Sequence, residues 1–375
     1  MSRLTTLGER FAASTALRYK LGVLGIGALA AFPLVVANTP IPLIWIRTLT
    51  VAFFFGIFAM SWDVLSGYTG QISFGHALFF AIGGYTSTLL NLEFGITPAL
   101  SITVGVVLSV LVGLLIGVPA LRLSGPYLGL VTLVAPLILL QIFTMYSDTF
   151  GGELGLRSPQ QLLRFDDYVV ELTANYYFAL VVFLAVLAVL WVITRSDTGK
   201  VFTAIREDEE AVAAAGLNTT KFKIFAFALS AAVGGFGGAV FVHSSVGSTT
   251  PGVLLDIHVS IEVVIATILG GMGTIVGAAI GGILLVVLQD FLDGISFALP
   301  LLGVEISAMS FAIFGTIALA MIFYMPRGLL PASIDAGRRA LDRRRADRAV
   351  TDGGTDESRG GSTDDAFADH GGESR

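Results

Sequence analysis

Runs of roughly 17–25 apolar residues, the length an α-helix needs to cross a hydrocarbon core about 30 Å thick, recur along most of this chain. The runs are continuous and rich in Leu, Val, Ala, Gly and Phe, not alternating as lipid-facing barrel strands are. Only 13% of the 375 residues are charged and the mean hydropathy is +0.82, against about 25% charged residues in a soluble domain. Too little polar surface remains to cover a water-exposed globule. The pattern predicts an all-α polytopic bundle in a membrane.

Spans are expected at about 21–37, 43–60, 72–90, 97–118, 126–146, 174–194, 222–243 and 305–325. The apolar stretch 252–289 would be ~57 Å long as one helix, almost twice the core thickness. Gly270, Gly271 and Gly273 interrupt it, so it divides into 253–270 and 273–289. That makes about ten spans, or a re-entrant glycine hairpin that keeps the same parity. With the N-terminus in the cytoplasm, all Lys and Arg residues except Arg47, Arg157 and Arg164, out of 22, fall on the inner side. Both termini are then cytoplasmic and the 147–173 loop lies outside.

Arg3, Arg10, Arg18 and Lys20 precede the first apolar run and mimic a secretory signal. Because further spans follow, 1–20 reads as a cytoplasmic N-terminus before an uncleaved helix and 21–330 as the membrane domain. The tail 331–375 carries a basic cluster from Arg338 to Arg348, suited to anionic lipid headgroups, and then an acidic Gly/Ser stretch expected to be disordered.

The absence of cysteine excludes disulfides, thiolate metal sites and cysteine nucleophiles. There is no phosphate-binding loop; Gly199-Lys200 is followed by Val201. No zinc-protease motif occurs, and the histidines are scattered. No metal, cofactor or nucleic-acid partner is expected of this chain. Gly273, Gly277 and Gly281 recur every four residues, as do Gly234 and Gly238, the spacing that lets membrane helices approach closely.

Polar residues at membrane depth are costly and usually face the bundle interior. Glu262 lies within its span. Asp63 precedes a glycine-broken stretch, Gly67 to His76, that also carries Gln71 and Ser73. Non-helical backbone persists at such depth only when buried in protein or lining a water cavity. Lining a pathway and forming a structural polar knot are both open roles, and Arg47 is a candidate partner for one of the acids.

The loop 195–221 is polar. Glu207, Asp208, Glu209 and Glu210 precede the alanine-rich run 211–215, which predicts a short helix of about two turns. Gly216 offers a left-handed cap and Leu217 the apolar residue beyond it. Phe202, Ile205 and Leu217 give the loop apolar faces that call for a protein socket, since its acids disfavour an anionic bilayer.

This loop resembles the coupling segment of the permeases of branched-chain amino acid importers driven by ATP-binding cassettes. Gly199, Lys200, Ala204, Ile205, Arg206, Glu207, Asp208, Glu209, Ala211 and Gly216 carry the likeness. Gly67 to Ala77, Pro119 to Tyr127, Ser260-Ile261-Glu262 and Leu269 to Thr274 are similar to further signatures in the same order, over about residues 50–330. Asp63 stands where the family commonly has Asn, and the charged tail has no family counterpart. The resemblance implies a second permease subunit, identical or not, two cytoplasmic ATPases that bind ATP and Mg, and an extracytoplasmic substrate-binding protein. It implies inward movement of Leu, Ile or Val across the plasma membrane, with urea or another short amide as the alternative. Arg206 and the acidic cluster would set register on the ATPase. A rival reading is an ion-coupled secondary transporter with Glu262 and Asp63 as carriers; a membrane enzyme or scaffold lacks a convergent His/Asp/Ser set.

Overall fold

Lipid offers backbone groups no hydrogen bonds, so apolar runs fold as helices and polar breaks become their connections. The computed structural model describes residues 22–36, 43–122, 126–294, 298–299, 304–305, 310–324 and 328–329. The expected termini, 1–20 and 331–375, lie outside these.

Helix α1 spans Gly22–Val36 and α2 spans Ile44–Trp62, extended by a π-helical turn over Asp63–Gly67. After a non-helical stretch come α3 (Ala77–Phe94), α4 (Pro98–Ala120) and α5 (Pro126–Met145). The short α6 (Ser147–Phe150) leads to α7 (Tyr168–Arg195). Two polar helices follow, α8 (Asp197–Glu207) and α9 (Glu209–Ala214), and then α10 (Thr219–Val242). The chain continues through α11 (Pro251–Leu254), α12 (Ile257–Gly270), α13 (Ile275–Asp293) and α14 (Ser310–Tyr324). Before α14, Ala298–Leu299 pairs antiparallel with Val304–Glu305.

Seven stretches are long and apolar enough to cross a membrane: Ile44–Gly67, Pro98–Ala120, Tyr127–Met145, Tyr168–Arg195, Thr219–Val242, Pro251–Gly270 and Ile275–Asp293. Helices α1, α3 and α14 occupy the other expected places but are shorter or, in α3, less apolar toward Asn91 and Glu93. Helix α7 starts earlier than expected, at Tyr168 rather than 174, and α3 starts later, at Ala77 rather than 72, because Gly70 to His76 is not helical.

The stretch 252–289 divides as expected, at Gly271–Thr274. It does not form a re-entrant hairpin. Thr249, just before α11, bridges to Leu156 in the 146–167 loop, whereas Gly273 lies against Gly67 and Arg206 of α8. The first arm therefore runs from one end of the bundle to the other. Helix α13 then returns, and near its far end Asp290 accepts a 2.5 Å hydrogen bond from Thr48, in the first turns of α2.

The core centres on α2 and α10, the most buried of the long apolar stretches. Phe53 of α2 meets Tyr176 and Phe183 of α7, and Phe58 stacks among His76 and Phe80. Helices α3, α4 and α10 touch through small residues: a side chain on Gly83 would overlap the Gly235 backbone. Gly277 and Gly281 face α12 in the same way, where a side chain on Gly281 would overlap the Ala266 carbonyl. With no hydrophobic drive between helices in lipid, this close backbone approach supplies the packing energy.

Gly281→Leu is expected to cost about 3 kcal/mol by overpacking. Gly25→Leu, at a position with nothing within 4 Å, is expected to stay within about 0.5 kcal/mol. Thermal unfolding of the two purified variants in one detergent checks the contrast.

Candidate functional site

The broken connection between α2 and α3 is built by side chains that replace a missing helical ladder. Beyond the π turn, Gly70 adopts φ +73 and the chain turns back along the last turns of α2. Ser66 Oγ donates to the Gln71 carbonyl at 3.0 Å and accepts from the Ser73 amide at 3.1 Å. Trp62 Nε1 donates to the Ser73 carbonyl at 2.7 Å. The Phe74 amide donates to Thr132 Oγ1 of α5 at 3.2 Å, and the Ala77 amide to Ser260 Oγ of α12 at 3.2 Å. At Gly75 a side chain would overlap the Thr132 carbonyl, so the extended segment lies directly on α5.

His76 closes the segment. Its Nε2 is 2.9 Å from Ser61 Oγ and 3.2 Å from Ser230 Oγ. Those hydroxyls donate their own protons to the carbonyls of Phe58 and Ser61, both at 2.7 Å. They are therefore acceptors toward His76, which donates through Nε2. Its Nδ1 and the Ser73 hydroxyl are buried without a partner among the described residues.

Asp63, fully buried at the start of the π turn, ties this break to the turn before α13. Its Oδ1 accepts the Gly273 amide at 2.7 Å. Gly273 has φ +78 and precedes α13, so it belongs to this junction and not to the packing stripe of Gly277 and Gly281.

The polar loop 195–221 folds as α8 and α9. Gly199 permits the tight turn out of α7, since a side chain there would overlap the Thr194 carbonyl. Asp197 opens α8 and accepts from Lys200 Nζ at 2.8 Å; that hydrogen bond and the lysine charge hold its carboxyl below the usual carboxylate range. Both side chains are solvated, so the pair adds little stability.

Asp208 caps α9 by accepting from the Ala211 amide at 2.9 Å. Gly216, at φ +86, ends it in a Schellman closure: Gly216 N donates to Ala213 O and Leu217 N to Val212 O. Ala204, Ala211 and Leu217 are exposed. The expected apolar face divides. Phe202 and Ile205 are buried by this chain itself, Phe202 in a cluster that also holds Leu65, Leu121 and Phe227, so a partner is not required to cover them.

Arg206 is exposed overall but sends one end of its guanidinium inward. Its Nη1 donates to the Gly67 carbonyl at 2.7 Å, while Nε and Nη2 reach Glu207 Oε1 at 3.2 and 2.8 Å. Glu209 pairs with Lys223 Nζ at 2.6 Å and accepts from Thr219 at 3.1 Å. Of the five loop acids, Glu210 alone has no hydrogen-bond or ion-pair partner among the described residues.

The structure brings Asp63, Gly67, Arg206 and Gly273 to one junction. Glu262 is elsewhere, half-buried and accepting from Gln289 Nε2 at 2.8 Å. Gln71 is half-buried, and among the described residues its side chain makes only a 3.4 Å hydrogen bond, to the Thr69 carbonyl. Arg47 is exposed and pairs with none of the acids among the described residues. Sequence reading missed the hydroxyls of Ser61, Ser66, Thr132, Ser230 and Ser260, and the His243 knot at the opposite end. There His243 Nδ1 donates to the Gln160 carbonyl at 2.6 Å, which leaves Nε2 to accept from Ser87 at 2.8 Å.

Residues 44–324 match the family described as "Branched-chain amino acid transport system / permease component". The chain belongs to this family. It is 29% identical over 338 residues to the high-affinity branched-chain amino acid transport system permease protein LivM of Escherichia coli (strain K12), covering 84% of this chain and 75% of that one. It is 26% identical to the probable branched-chain amino acid transport permease protein LivM of Methanocaldococcus jannaschii, covering 75% and 92%. LivH of Salmonella typhimurium, a permease protein of the same type of system, is 24% identical with 66% and 87% covered. No solved structure matches the chain. Two of the stretches that carry the sequence resemblance, Gly67 to Ala77 and Gly199 to Gly216, are thus the extended segment and α8–α9.

Asp63→Asn keeps an acceptor for the Gly273 amide, and its stability should remain within about 1 kcal/mol of the parent. Asp63→Ala orphans that buried amide, and a loss of about 1–3 kcal/mol is expected from the same thermal measurement.

Proposed function

We propose that the protein is one permease subunit of an importer that carries Leu, Ile and Val inward across the plasma membrane. Two separate cytoplasmic ATPases, which hold ATP and Mg, drive it, and an extracytoplasmic binding protein delivers the substrate. The observation that carries this reading is the α8–α9 knuckle in a chain of this family. Its base is buried into the membrane domain through Phe202 and Ile205, while its tip presents Leu217, 44% exposed, beside Ala213–Ala215 and Glu210. A protruding tip with one apolar anchor suits docking in a partner's groove. The chain has no phosphate-binding loop, so ATP hydrolysis falls to the partners. The charge distribution supports a cytoplasmic knuckle, since Arg195, Lys200, Arg206, Lys221 and Lys223 surround it.

In this reading the ATPases grip α9 and Leu217 and move α8 with the ends of α7 and α10. Differential contact with the knuckle in two ATPase states supplies the coupling. The pairing of LivM-type and LivH-type relatives within such systems supports a second permease subunit as the partner in the membrane.

The reading is tested in proteoliposomes that hold this chain, its partner permease, the ATPases and the binding protein. Labelled leucine is expected to enter only with ATP present. Gly216→Pro, which forbids the positive φ of the knuckle, is expected to lower substrate-stimulated ATP hydrolysis by about tenfold or more. Uptake driven by an ion gradient with no ATPase would contradict the reading. Orientation has its own check, because the chain holds no cysteine of its own. Leu217→Cys should react with an impermeant maleimide only after the cytoplasmic face is opened, and Leu154→Cys, 89% exposed, should react in intact cells.

A further inference from the structure

We infer that Arg206 is a positioning residue for transport: it ties the coupling helices to the end of α2 so that both move as one body with the extended segment 70–76. The inference rests on the importer reading above and goes beyond it by naming the joint through which force enters the membrane domain.

The joint follows from where the helical ladder of α2 stops. A continued helix would give the Gly67 carbonyl an amide four residues on. The chain instead leaves the helix at Gly70, and the guanidinium of Arg206 takes that place, its Nη1 at 2.7 Å. A cation at the carbonyl end of a 24-residue helical stretch is also favoured by the helix dipole. Glu207 holds the other face of the guanidinium and so aims Nη1 at Gly67.

The fit is close on two further sides. The stem of Arg206 packs over Gly70: a β-carbon built there lies 3.1 Å from Arg206 Cγ. Its Nη1 lies against Gly273, where a side chain would displace it, and the Gly273 amide holds Asp63. One side chain on α8 therefore touches two segments distant in sequence, the broken α2–α3 connection and the turn between α12 and α13. The first of these leads through Phe74 and Gly75 directly to α5. Packing of Phe202 and Ile205 secures α8 to the bundle, yet Arg206 supplies the one side-chain hydrogen bond from α8 to the α2–α3 break among the described residues. A stroke on α9 reaches the extended segment through this bond.

The test exploits the cysteine-free chain in the full complex in proteoliposomes. A β-carbon on Gly70 stands 3.7 Å from Arg206 Cβ, within the roughly 3.5–4.5 Å range of disulfide-bridged residues. Leucine taken up per ATP hydrolysed is measured for Arg206→Cys, Arg206→Lys and the pair Gly70→Cys with Arg206→Cys. The ATPases should still co-purify with Arg206→Cys, while its uptake per ATP falls about tenfold. Arg206→Lys, which keeps one donor, should fall by no more than about threefold. The double variant should recover when oxidised, because the disulfide replaces the tie, and lose uptake again on reduction.

A parental ratio in Arg206→Cys overturns the inference, and so does an oxidised double variant no better than its reduced form. Loss of the ATPases from Arg206→Cys would make Arg206 a docking contact, which overturns the tie while the importer reading stands. Should the double variant fail to assemble, the Cys and Lys single variants decide, since equal loss in both also overturns the assignment. Absence of ATP-driven uptake by the unmodified complex removes the importer reading and the tie together.

Discussion

Backbone groups inside a bilayer have no water to fall back on, and this protein leaves the stretch from Gly70 to His76 without a helical ladder. The break between Gly67 and Ala77 survives because other side chains take over the ladder: Trp62, Ser66, Thr132 and Ser260 each serve a specific amide or carbonyl. An unpaired buried amide or carbonyl costs on the order of 1–3 kcal/mol. Several such groups left unserved would outweigh much of a marginal fold. The hydroxyls therefore determine where α5 and α12 can sit, since each must reach its amide. Irregular backbone and helix packing are in this way one structural problem.

The same logic brings distant signatures together. The Gly67–Ala77 motif, the α8–α9 motif and the Leu269–Thr274 motif are far apart in sequence, and they share one junction because each leaves a polar group for another to satisfy. Gly67 exposes a carbonyl that Arg206 takes, and Gly273 exposes an amide that Asp63 takes. Glycine recurs at this point for geometric reasons: Gly70 and Gly273 have positive φ, and a side chain on Gly273 would collide with the guanidinium. A junction made of backbone polar groups can be held tightly by few side chains, which suits the transmission of movement proposed above.

Much of the fold was legible in the sequence. The apolar runs placed the long helices within a few residues, because in lipid hydropathy and secondary structure are almost the same property. Helix α9 was readable from its acids, its alanines and Gly216, all local signals. The break in α3 was marked by its glycines, but its depth and direction were not, because they depend on single Ser and Thr residues that look ordinary within apolar helices. Phe202 and Ile205 misled for the opposite reason: exposed apolar residues in a polar loop suggest a partner, and only the fold reveals that α8 lies on its own chain. The sequence reading gave Arg206 a register role on an ATPase, and nothing local says that one of its acceptors, the Gly67 carbonyl, is 139 residues away. The Asp63–Gly273 contact, 210 residues apart, was equally invisible.

The account's central claim is that side-chain hydroxyls of the membrane domain hold the amides of Ser73, Phe74 and Ala77 in and beside the unwound segment. Hydrogen–deuterium exchange of the protein in lipid nanodiscs measures this directly. The amides of Ser73, Phe74 and Ala77 should be protected to the same degree as those in the middle of α2 and α10. Exchange of these three amides at the rate of the exposed 164–167 stretch would contradict the account.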